Sequence, residues 1–255
     1  MPEHLELPRP LRLLRTTAWS LSESAGLPVA AYAAGAWLGE IESANRAGKS
    51  HCVALSGGRI TQKFFAATVE QAKARAVSFE CVHFFWADER CVPPTDPESN
   101  FKLASELLFA PLKIPAGQIH RVRGEDSPQA AVKIAEAELG RITPADKNGQ
   151  PALDLIFLGM GEDGHVASLF PGAPPEILNC SSPYLAIENS PKPPPRRISL
   201  SYAAIAAARQ VWALVSGVGK EAALRESLRD GGPTPLARVM RSRPRTKIFC
   251  DIRLD

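Results

Sequence analysis

Short, almost wholly apolar segments alternate along the chain with longer segments in which apolar residues recur at helical spacing. Short apolar runs of this kind are typical of strands that are covered on both faces of a sheet. The alternation predicts an α/β fold, with a mostly parallel sheet and helices on both of its faces. The predicted strands are His51–Leu55, Phe79–Trp86, Ala152–Leu158, Arg197–Leu200, Gln210–Ser216 and Thr246–Asp251.

The segments between these strands predict helices, and two serines stand where a side-chain oxygen would cap one. Ser99 and Ser127 each precede a helical pattern and are predicted N-caps. The region Pro171–Pro195 differs, since it holds eight of the 23 prolines, and it is either a domain linker or a loop packed on the same domain. We predict the second, so that residues 1–255 form a single α/β domain. The predicted helices are Val29–Arg46, Thr61–Val77, Ser99–Leu108, Pro128–Leu139 and Lys220–Arg229.

Composition excludes several classes of protein. The net charge of +3 is too small to indicate a nucleic acid or a membrane surface as the partner. The five cysteines are scattered and form no Cys-x-x-Cys pair, which argues against a disulfide framework or a structural zinc site. The first residues lack the pattern of a signal peptide, and no apolar run approaches the roughly 20 residues of a membrane span. We therefore expect a cytoplasmic protein with a small-molecule ligand.

The first segment with chemical potential is Ser56-Gly57-Gly58-Arg59, between a predicted strand and a predicted helix. Two glycines let backbone N–H groups approach an anion closely, and a helix N-terminus adds partial positive charge. This pattern indicates a phosphate cradle, although a tight turn that merely needs glycine would look the same. It matches neither a dinucleotide-binding nor an NTP-binding glycine loop.

The second segment, Asp88-Glu89-Arg90, follows the predicted strand that ends at Trp86. In an open parallel sheet, ligands bind at the carboxyl ends of the strands. Arg90 is therefore a candidate bidentate phosphate ligand. The alternative is that these charges only solvate a loop or pair with each other.

The third segment is Gly159-Met-Gly-Glu-Asp-Gly-His165, directly after the predicted strand Ala152–Leu158. Its glycines permit a sharp turn that places His165 beside Asp163 on the ligand side of the sheet. An imidazole titrates near neutral pH, so His165 is a candidate general base and Asp163 the group that orients its ring. The sequence Val166–Phe170 then has helical spacing, which predicts that His165 lies at a helix start.

Two further cations, Arg197 and Lys220, lie near the ends of predicted elements and are candidate phosphate ligands or ordinary surface charges. Lys220 opposes the macrodipole at a predicted helix start, which favours a bound anion beside it. The chain has no Gly-x-Ser-x-Gly nucleophile turn. Neither does it have a His, Cys and carboxylate cluster with metal-ligand spacing, and the remaining histidines lie in unrelated contexts, at His4, His51, His83 and His120.

Taken together, these segments resemble the 6-phosphogluconolactonase family. The matching pieces are Leu55-Ser-Gly-Gly, Trp86-Ala-Asp-Glu-Arg, Ser99-Asn100, Gly159-x-Gly-x-Asp-Gly-His-x-Ala-Ser-Leu-Phe-Pro171 and Pro194-x-x-Arg-Ile198.

The resemblance implies hydrolysis of 6-phospho-D-glucono-1,5-lactone without a metal or an organic cofactor. It also implies a modified Rossmann-like fold, shared with glucosamine-6-phosphate deaminases and ribose-5-phosphate isomerases. By position, His165 is the base that activates water and Asp163 supports it. The implied contacts on the substrate and phosphate side are Ser56, Gly57, Gly58, Arg90, Asn100, Arg197 and Lys220.

One departure concerns the first segment, where the family usually reads Ser-Gly-Gly-Ser-Thr-Pro and this chain has Arg59 after the glycines. Arg59 either supplies phosphate charge in place of the missing hydroxyls or points to solvent.

Two alternative functions stay open at this stage. One is a deaminase or isomerase acting on glucosamine 6-phosphate, and the other is a non-catalytic sugar-phosphate sensor on the same fold. The tail Ala167-Ser-Leu-Phe-Pro171 favours the lactonase, and a monomer is the favoured state.

Overall fold

The computed structural model describes residues 13–15, 19–23, 28–243 and 245–252. Their strands are β1 Leu13–Arg15, β2 Trp19–Glu23, β3 His51–Leu55, β4 Val82–Trp86, β5 Asp88–Arg90, β6 Leu155–Gly159, β7 Tyr184–Ile187, β8 Arg197–Leu200, β9 Gln210–Val215 and β10 Thr246–Cys250. Their α-helices are α1 Val29–Ala47, α2 Arg59–Arg75, α3 Asn100–Ala104, α4 Ala110–Leu112, α5 Pro128–Ile142, α6 Pro175–Leu178, α7 Tyr202–Ala207, α8 Glu221–Leu228 and α9 Pro235–Arg241. A π-helical turn, Ser105–Phe109, joins α3 to α4.

Seven strands form the main sheet in the order β1-β2-β10-β9-β6-β3-β4. All neighbours pair in parallel except β1 with β2 at one edge. From β3 the chain passes through α2 to β4 on one side, whereas from β6 it passes to β9 and then β10 on the other side. The point where the direction reverses, between β3 and β6, is where an open sheet of this kind binds ligands.

Helices cover both faces of this sheet. Crossovers between parallel strands are right-handed, so α2 lies on one face and the helices that follow β6 and β9 lie on the other. α1 packs against α2, and both contact β9. The predicted fold class is confirmed. In the described part of the chain, no helix is both long enough and apolar enough to cross a bilayer.

A second, three-stranded antiparallel sheet has the order β5-β8-β7. It contains the predicted strand Arg197–Leu200, which therefore lies outside the parallel sheet. Backbone bonds from Ala87 N to Leu55 O (2.7 Å) and from Leu200 N to Ala87 O (2.8 Å) connect it to the end of β3. The buried Tyr184 donates its hydroxyl to Trp86 O at 2.7 Å. Through Tyr184, the proline-rich region thus contacts the end of β4.

The predicted helix starts are correct at two caps and wrong in one segment. Ser99 accepts a hydrogen bond from Lys102 N, and Ser127 accepts one from Ala130 N, as predicted for N-caps. The helical spacing of Val166–Phe170, in contrast, does not produce a helix. Val166 and Leu169 instead form an isolated antiparallel bridge around a tight turn, with Ala167 at φ 50°.

An aromatic cluster fills the core between α1, α2 and the sheet. Trp37 is fully buried, and its ring centroid lies 5.1 Å from that of Phe157 and 5.6 Å from that of Phe64. Its indole nitrogen donates to His51 Nε2 at 3.2 Å, so the one polar atom of the side chain is paired. Aromatic pairs at such distances add stability beyond the area that they bury.

Trp37→Ala should lower the free energy of unfolding by about 3–5 kcal/mol, the usual cost of removing a large buried aromatic side chain. Trp37→Phe, which keeps a ring but leaves His51 Nε2 without its donor, should cost less. Denaturant unfolding of both variants measures the two values. Equal stabilities of Trp37→Ala and the wild type would contradict this account of the core.

Candidate active site

A cleft of about 340 Å³ opens at the carboxyl ends of β3 and β6, where the strand order reverses. Five basic side chains and two acidic ones line it, so its field favours an anionic ligand. The lining residues are Ser56, Gly57, Gly58, Arg59, Ile60, Asp88, Arg90, Gly159, Met160, Gly161, Glu162, His165, Ala167, Lys192, Arg197 and Lys220.

The turn after β3 is held against β6 and leads into a long helix. Ser56 donates its hydroxyl to Phe157 O at 2.8 Å, which ties the ends of the two strands together. Gly58 has φ 103° and is the N-cap of α2, whose first turn has neither a capping side chain nor an acidic residue. A Cβ on Gly57 would lie 1.9 Å from Asn100 Oδ1, so this position requires glycine. The first turn of α2 therefore faces the cleft with uncapped backbone N–H groups, which are the kind of donor that anions bind at helix termini.

The turn after β6 places a histidine beside a carboxylate. His165 Nδ1 lies 2.5 Å from Asp163 Oδ1. A carboxylate only accepts hydrogen bonds, so Nδ1 carries the hydrogen and Nε2 keeps its lone pair. Gly161 makes room for this pair, because a Cβ there would lie 2.0 Å from His165 Nδ1 and 2.5 Å from Asp163 Oδ1. Gly164, at φ 78°, completes the turn.

The imidazole is held in a state suited to accepting a proton. Its ring centroid lies 4.7 Å from that of Phe170, and its side chain is 17% exposed, so part of the ring still meets the cleft. Burial lowers the pKa of His165 below its ordinary value, and the Asp163 carboxylate partly offsets this effect. The lowered pKa keeps Nε2 unprotonated near neutral pH, which general-base chemistry requires.

Asp88 lines the cleft and connects its walls. Its carboxylate accepts a hydrogen bond from Ser168 Oγ at 2.7 Å and lies 3.9 Å from Arg197 Nη1. Asn100 donates its side-chain amide to Asp88 O at 2.8 Å. Glu89, also buried, accepts hydrogen bonds from Asn100 N and Phe101 N, both at 2.8 Å, and so fixes the start of α3.

The four predicted cations occupy different surroundings. Arg59 is exposed, with Nη2 3.9 Å from Glu162 Oε1. Arg90 donates to Glu98 O at 2.7 Å, while its buried Nε has no partner among the described residues. Burial, and then the nearby Arg59, lower the pKa of Lys220.

Arg197 is the most enclosed of the four. Its guanidinium donates to Pro194 O at 3.0 Å, Pro193 O at 2.9 Å, Lys192 O at 3.2 Å and Ser168 Oγ at 3.4 Å. Most of its donors therefore point to the chain itself.

The structure thus brings most of the predicted site residues together, and it differs from the prediction in three respects. Asn100 is buried behind Gly57 instead of lining the cleft. His165 lies in a tight turn rather than at a helix start. Lys192, which belongs to none of the predicted site segments, has its Nζ 3.4 Å from His165 Nδ1 and 3.5 Å from Asp163 Oδ1. Its position in a proline-rich stretch 27 residues away from His165 carries no signal of this contact.

The interpretation of the other histidines as unrelated was wrong for one pair. His83 Nδ1 lies 3.0 Å from His120 Nε2, and His120 Nδ1 lies 2.7 Å from Glu138 Oε1, in a chain of contacts outside the cleft. His4 lies outside the described residues. Within the residues that the structure describes, no group of three or more His, Cys, Asp or Glu side chains could hold a metal ion.

The chain is similar to known proteins along most of its length. A curated 6-phosphogluconolactonase of Mycobacterium tuberculosis is 39% identical over 172 residues, which are 65% of this chain and 68% of that protein. A curated 6-phosphogluconolactonase of Haemophilus influenzae is 36% identical over 203 residues, 78% of this chain and 84% of that protein.

A solved structure of 6-phosphogluconolactonase from Thermotoga maritima superposes with a TM-score of 0.76 at 28% identity, covering 92% of this chain and 99% of that one. The model of the family described as glucosamine-6-phosphate isomerases/6-phosphogluconolactonase matches residues 27–248. With most of its length matched, this chain belongs to the glucosamine-6-phosphate isomerase and 6-phosphogluconolactonase family.

Proposed function

We propose that this chain is a lactone hydrolase that converts 6-phospho-D-glucono-1,5-lactone to 6-phospho-D-gluconate in the pentose phosphate pathway. The single observation that carries the proposal is an imidazole, oriented by a carboxylate, in a cleft whose charge is mainly positive. The curated relatives named 6-phosphogluconolactonase, at 36% and 39% identity, support the choice of substrate.

The chemistry follows from the free Nε2 of His165. Nε2 takes a proton from a water molecule while the water oxygen attacks the carbonyl carbon of the lactone. The resulting tetrahedral intermediate collapses by breaking the bond to the ring oxygen, which takes up the proton held by His165 and becomes a hydroxyl group. The new carboxyl group loses its remaining proton to solvent and becomes a carboxylate. Asp163 keeps the ring in the required tautomer and stabilises the imidazolium as it forms. A positioned base of this kind contributes about 10²–10⁴-fold to the rate.

The phosphate group of the substrate binds at the other end of the cleft in this proposal. The first turn of α2, with Ser56, Gly57 and Gly58, offers backbone donors. Lys220 is a partly desolvated cation and Arg90 has a buried Nε without a partner, so both gain from an anion. Arg59, at the exposed mouth, adds charge that steers the substrate.

Two of the candidate binding residues act indirectly in this proposal. Arg197 uses its donors on backbone carbonyls and Ser168 and thereby holds the cleft wall in place. Asn100 supports the turn at Gly57 from behind. Both residues position the site, and neither contributes a direct phosphate contact.

We also propose a single domain, a monomeric state and a cytoplasmic location. One hydrophobic cluster includes residues of both sheets, for example Trp86 of β4 and Ile198 of β8, which supports a single domain. All five cysteines are free thiols, which fits a reducing compartment.

His165→Ala should lower kcat by about 10²–10⁴-fold, because it removes the base, and should change KM much less. The assay is the decay of the lactone with spontaneous opening subtracted. His83→Ala, a histidine outside the cleft, is the matched control and should keep the wild-type kcat. An unchanged kcat in His165→Ala would remove His165 from its role. Ammonia release from glucosamine 6-phosphate, or phosphosugar binding without turnover, would contradict the proposed function.

Lys220→Ala and Arg90→Ala should mainly raise KM, by about tenfold to a hundredfold, since hydrogen bonds to charged groups contribute about 1.5–3 kcal/mol. The exposed Lys63, on α2 and outside the cleft, gives the control variant Lys63→Ala. If both kinetic parameters stay at the wild-type values in Lys220→Ala and Arg90→Ala, the phosphate assignment fails.

Gly161→Ala should lower kcat by about 10²-fold, because the new methyl group would displace the side chains of His165 and Asp163. Gly159→Ala is the matched control, since its Cβ would lie 3.7 Å from Gly57 O, an ordinary contact. Neither glycine has a positive φ, so both backbones accept alanine. Equal kcat values for the two variants would show that the close packing at Gly161 is unimportant for turnover.

A further inference from the structure

Hydrogen bonds hold both the backbone N–H and the backbone carbonyl of Lys192 in place. Its side chain extends from there into the cleft. Lys192 N donates to Ser190 Oγ at 3.2 Å, and Ser190 Oγ donates to Lys192 O at 2.9 Å. Arg197 Nη2 donates to the same carbonyl at 3.2 Å, and Ser190 N donates to Pro195 O at 2.8 Å. A buried arginine and a short backbone loop thus fix the point from which the lysine side chain extends.

From this anchor the ammonium group meets the catalytic pair. Lys192 Nζ lies 3.5 Å from Asp163 Oδ1, the same oxygen that accepts the hydrogen of His165 Nδ1. It lies 3.4 Å from Nδ1 itself. One carboxylate oxygen therefore has two cationic or potentially cationic neighbours, and a proton added to the imidazole would place two positive charges side by side.

A general base has two requirements that oppose each other: its ring must be oriented, and its ring must stay unprotonated. A carboxylate that orients an imidazole also favours its protonated form, which cannot accept a proton from water. A nearby cation disfavours the protonated form. An ammonium group that shares the carboxylate can therefore leave the ring oriented while it opposes protonation.

We propose that Lys192 is a positioning residue of the Asp163–His165 pair, whose ammonium group shares Asp163 Oδ1 with the imidazole and adds to burial in opposing protonation of the imidazole in the free enzyme. The inference rests on the proposed function for its role in turnover, whereas the electrostatic coupling itself is a property of the free protein.

The other charged groups around the His165 imidazole interact with it more weakly than Asp163 and Lys192 do, or lie farther away. Asp88, on β5, favours the protonated imidazole. Arg197, on β8, lies beyond Phe170, with its guanidinium carbon 5.8 Å from the centre of that ring. Glu162 and Arg59 face each other at 3.9 Å, and Lys220 stands with them in the cleft. The pKa of His165 is lowered first by burial, is raised by Asp163 and is lowered again by Lys192.

These contributions determine the direction in which the pKa of His165 should move when the Lys192 charge is removed. The pKa of His165 in the free protein lies below its ordinary value, so the neutral base persists to lower pH. Removal of the Lys192 charge removes one of the lowering effects and leaves Asp163 in place. The midpoint of the His165 titration should then move to higher pH, and the acid limb of kcat/KM, which reports the free enzyme, should move with it.

The experiment is an NMR titration of the histidine ring signals in the full chain, with the His165 signal assigned by its loss in His165→Ala. The proteins compared are the wild type, Lys192→Met, Lys192→Arg and, as a matched cation of the same cleft, Lys220→Met. We expect a shift of the His165 midpoint to higher pH in Lys192→Met, and we expect Lys192→Arg and Lys220→Met to stay near the wild-type midpoint. The acid limb of kcat/KM should show the same order.

Two results would overturn the inference. One is an identical His165 midpoint in the wild type and Lys192→Met, and the other is an equal shift in Lys220→Met, which would indicate a general field instead of a specific contact. A KM increase in Lys192→Met with an unmoved midpoint would likewise place Lys192 on the substrate and refute the coupling. The NMR readout needs no turnover, so absence of lactone hydrolysis would defeat the proposed function alone.

Discussion

A buried carboxylate, that of Asp88, joins the segments from which the cleft is built. It accepts from Ser168 in the turn after β6, faces Arg197 of β8 and sits on the short strand β5 that follows β4. Burying either charge alone would be costly, because an unpaired ion loses its hydration without compensation. The pairing makes the burial tolerable and fixes the relative positions of three loops that are far apart in sequence. The placement of Arg197, and through its bonds that of Lys192, depends on it.

The sequence predicts the fold correctly where the local residue pattern and the tertiary contacts of a segment favour the same secondary structure. β3, β6, β9 and β10 are apolar along most of their length because helices cover both faces, and that environment is visible in composition. The caps Ser99 and Ser127 were predictable because a cap is a local interaction. Val166–Phe170 was mispredicted because its helical spacing is overridden by tertiary contacts: Ser168 is drawn to Asp88, and the segment closes into a tight turn.

The site was predictable to a smaller extent. Glycines beside an acid and a histidine after a strand indicate a turn with a base, and the structure places Asp163 and His165 in contact in that turn, with His165 lining the cleft. The direct roles of Asp163, His165 and the cations stay predictions until the variants are measured. Lys192 could not be found from the sequence, because its contact with His165 is set by the route of a proline-rich loop and by the bonds of Arg197. The hydrogen bonds of Asn100 to Asp88 and of Arg197 to backbone carbonyls were hidden for the same reason, since residue type alone does not tell which acceptor a donor finds.

The hydrogen bond between Ser56 and the carbonyl of Phe157 spans 101 residues of sequence. Its two strands are adjacent in the sheet, yet α2, β4, β5 and α5 all lie between them in the chain. Contacts between residues so far apart require a large loop to close, which slows their formation. During synthesis the unit from β3 to β4 can pair locally, while the cleft has to wait until β6 has emerged. The two walls of the cleft therefore meet only when a large loop has closed.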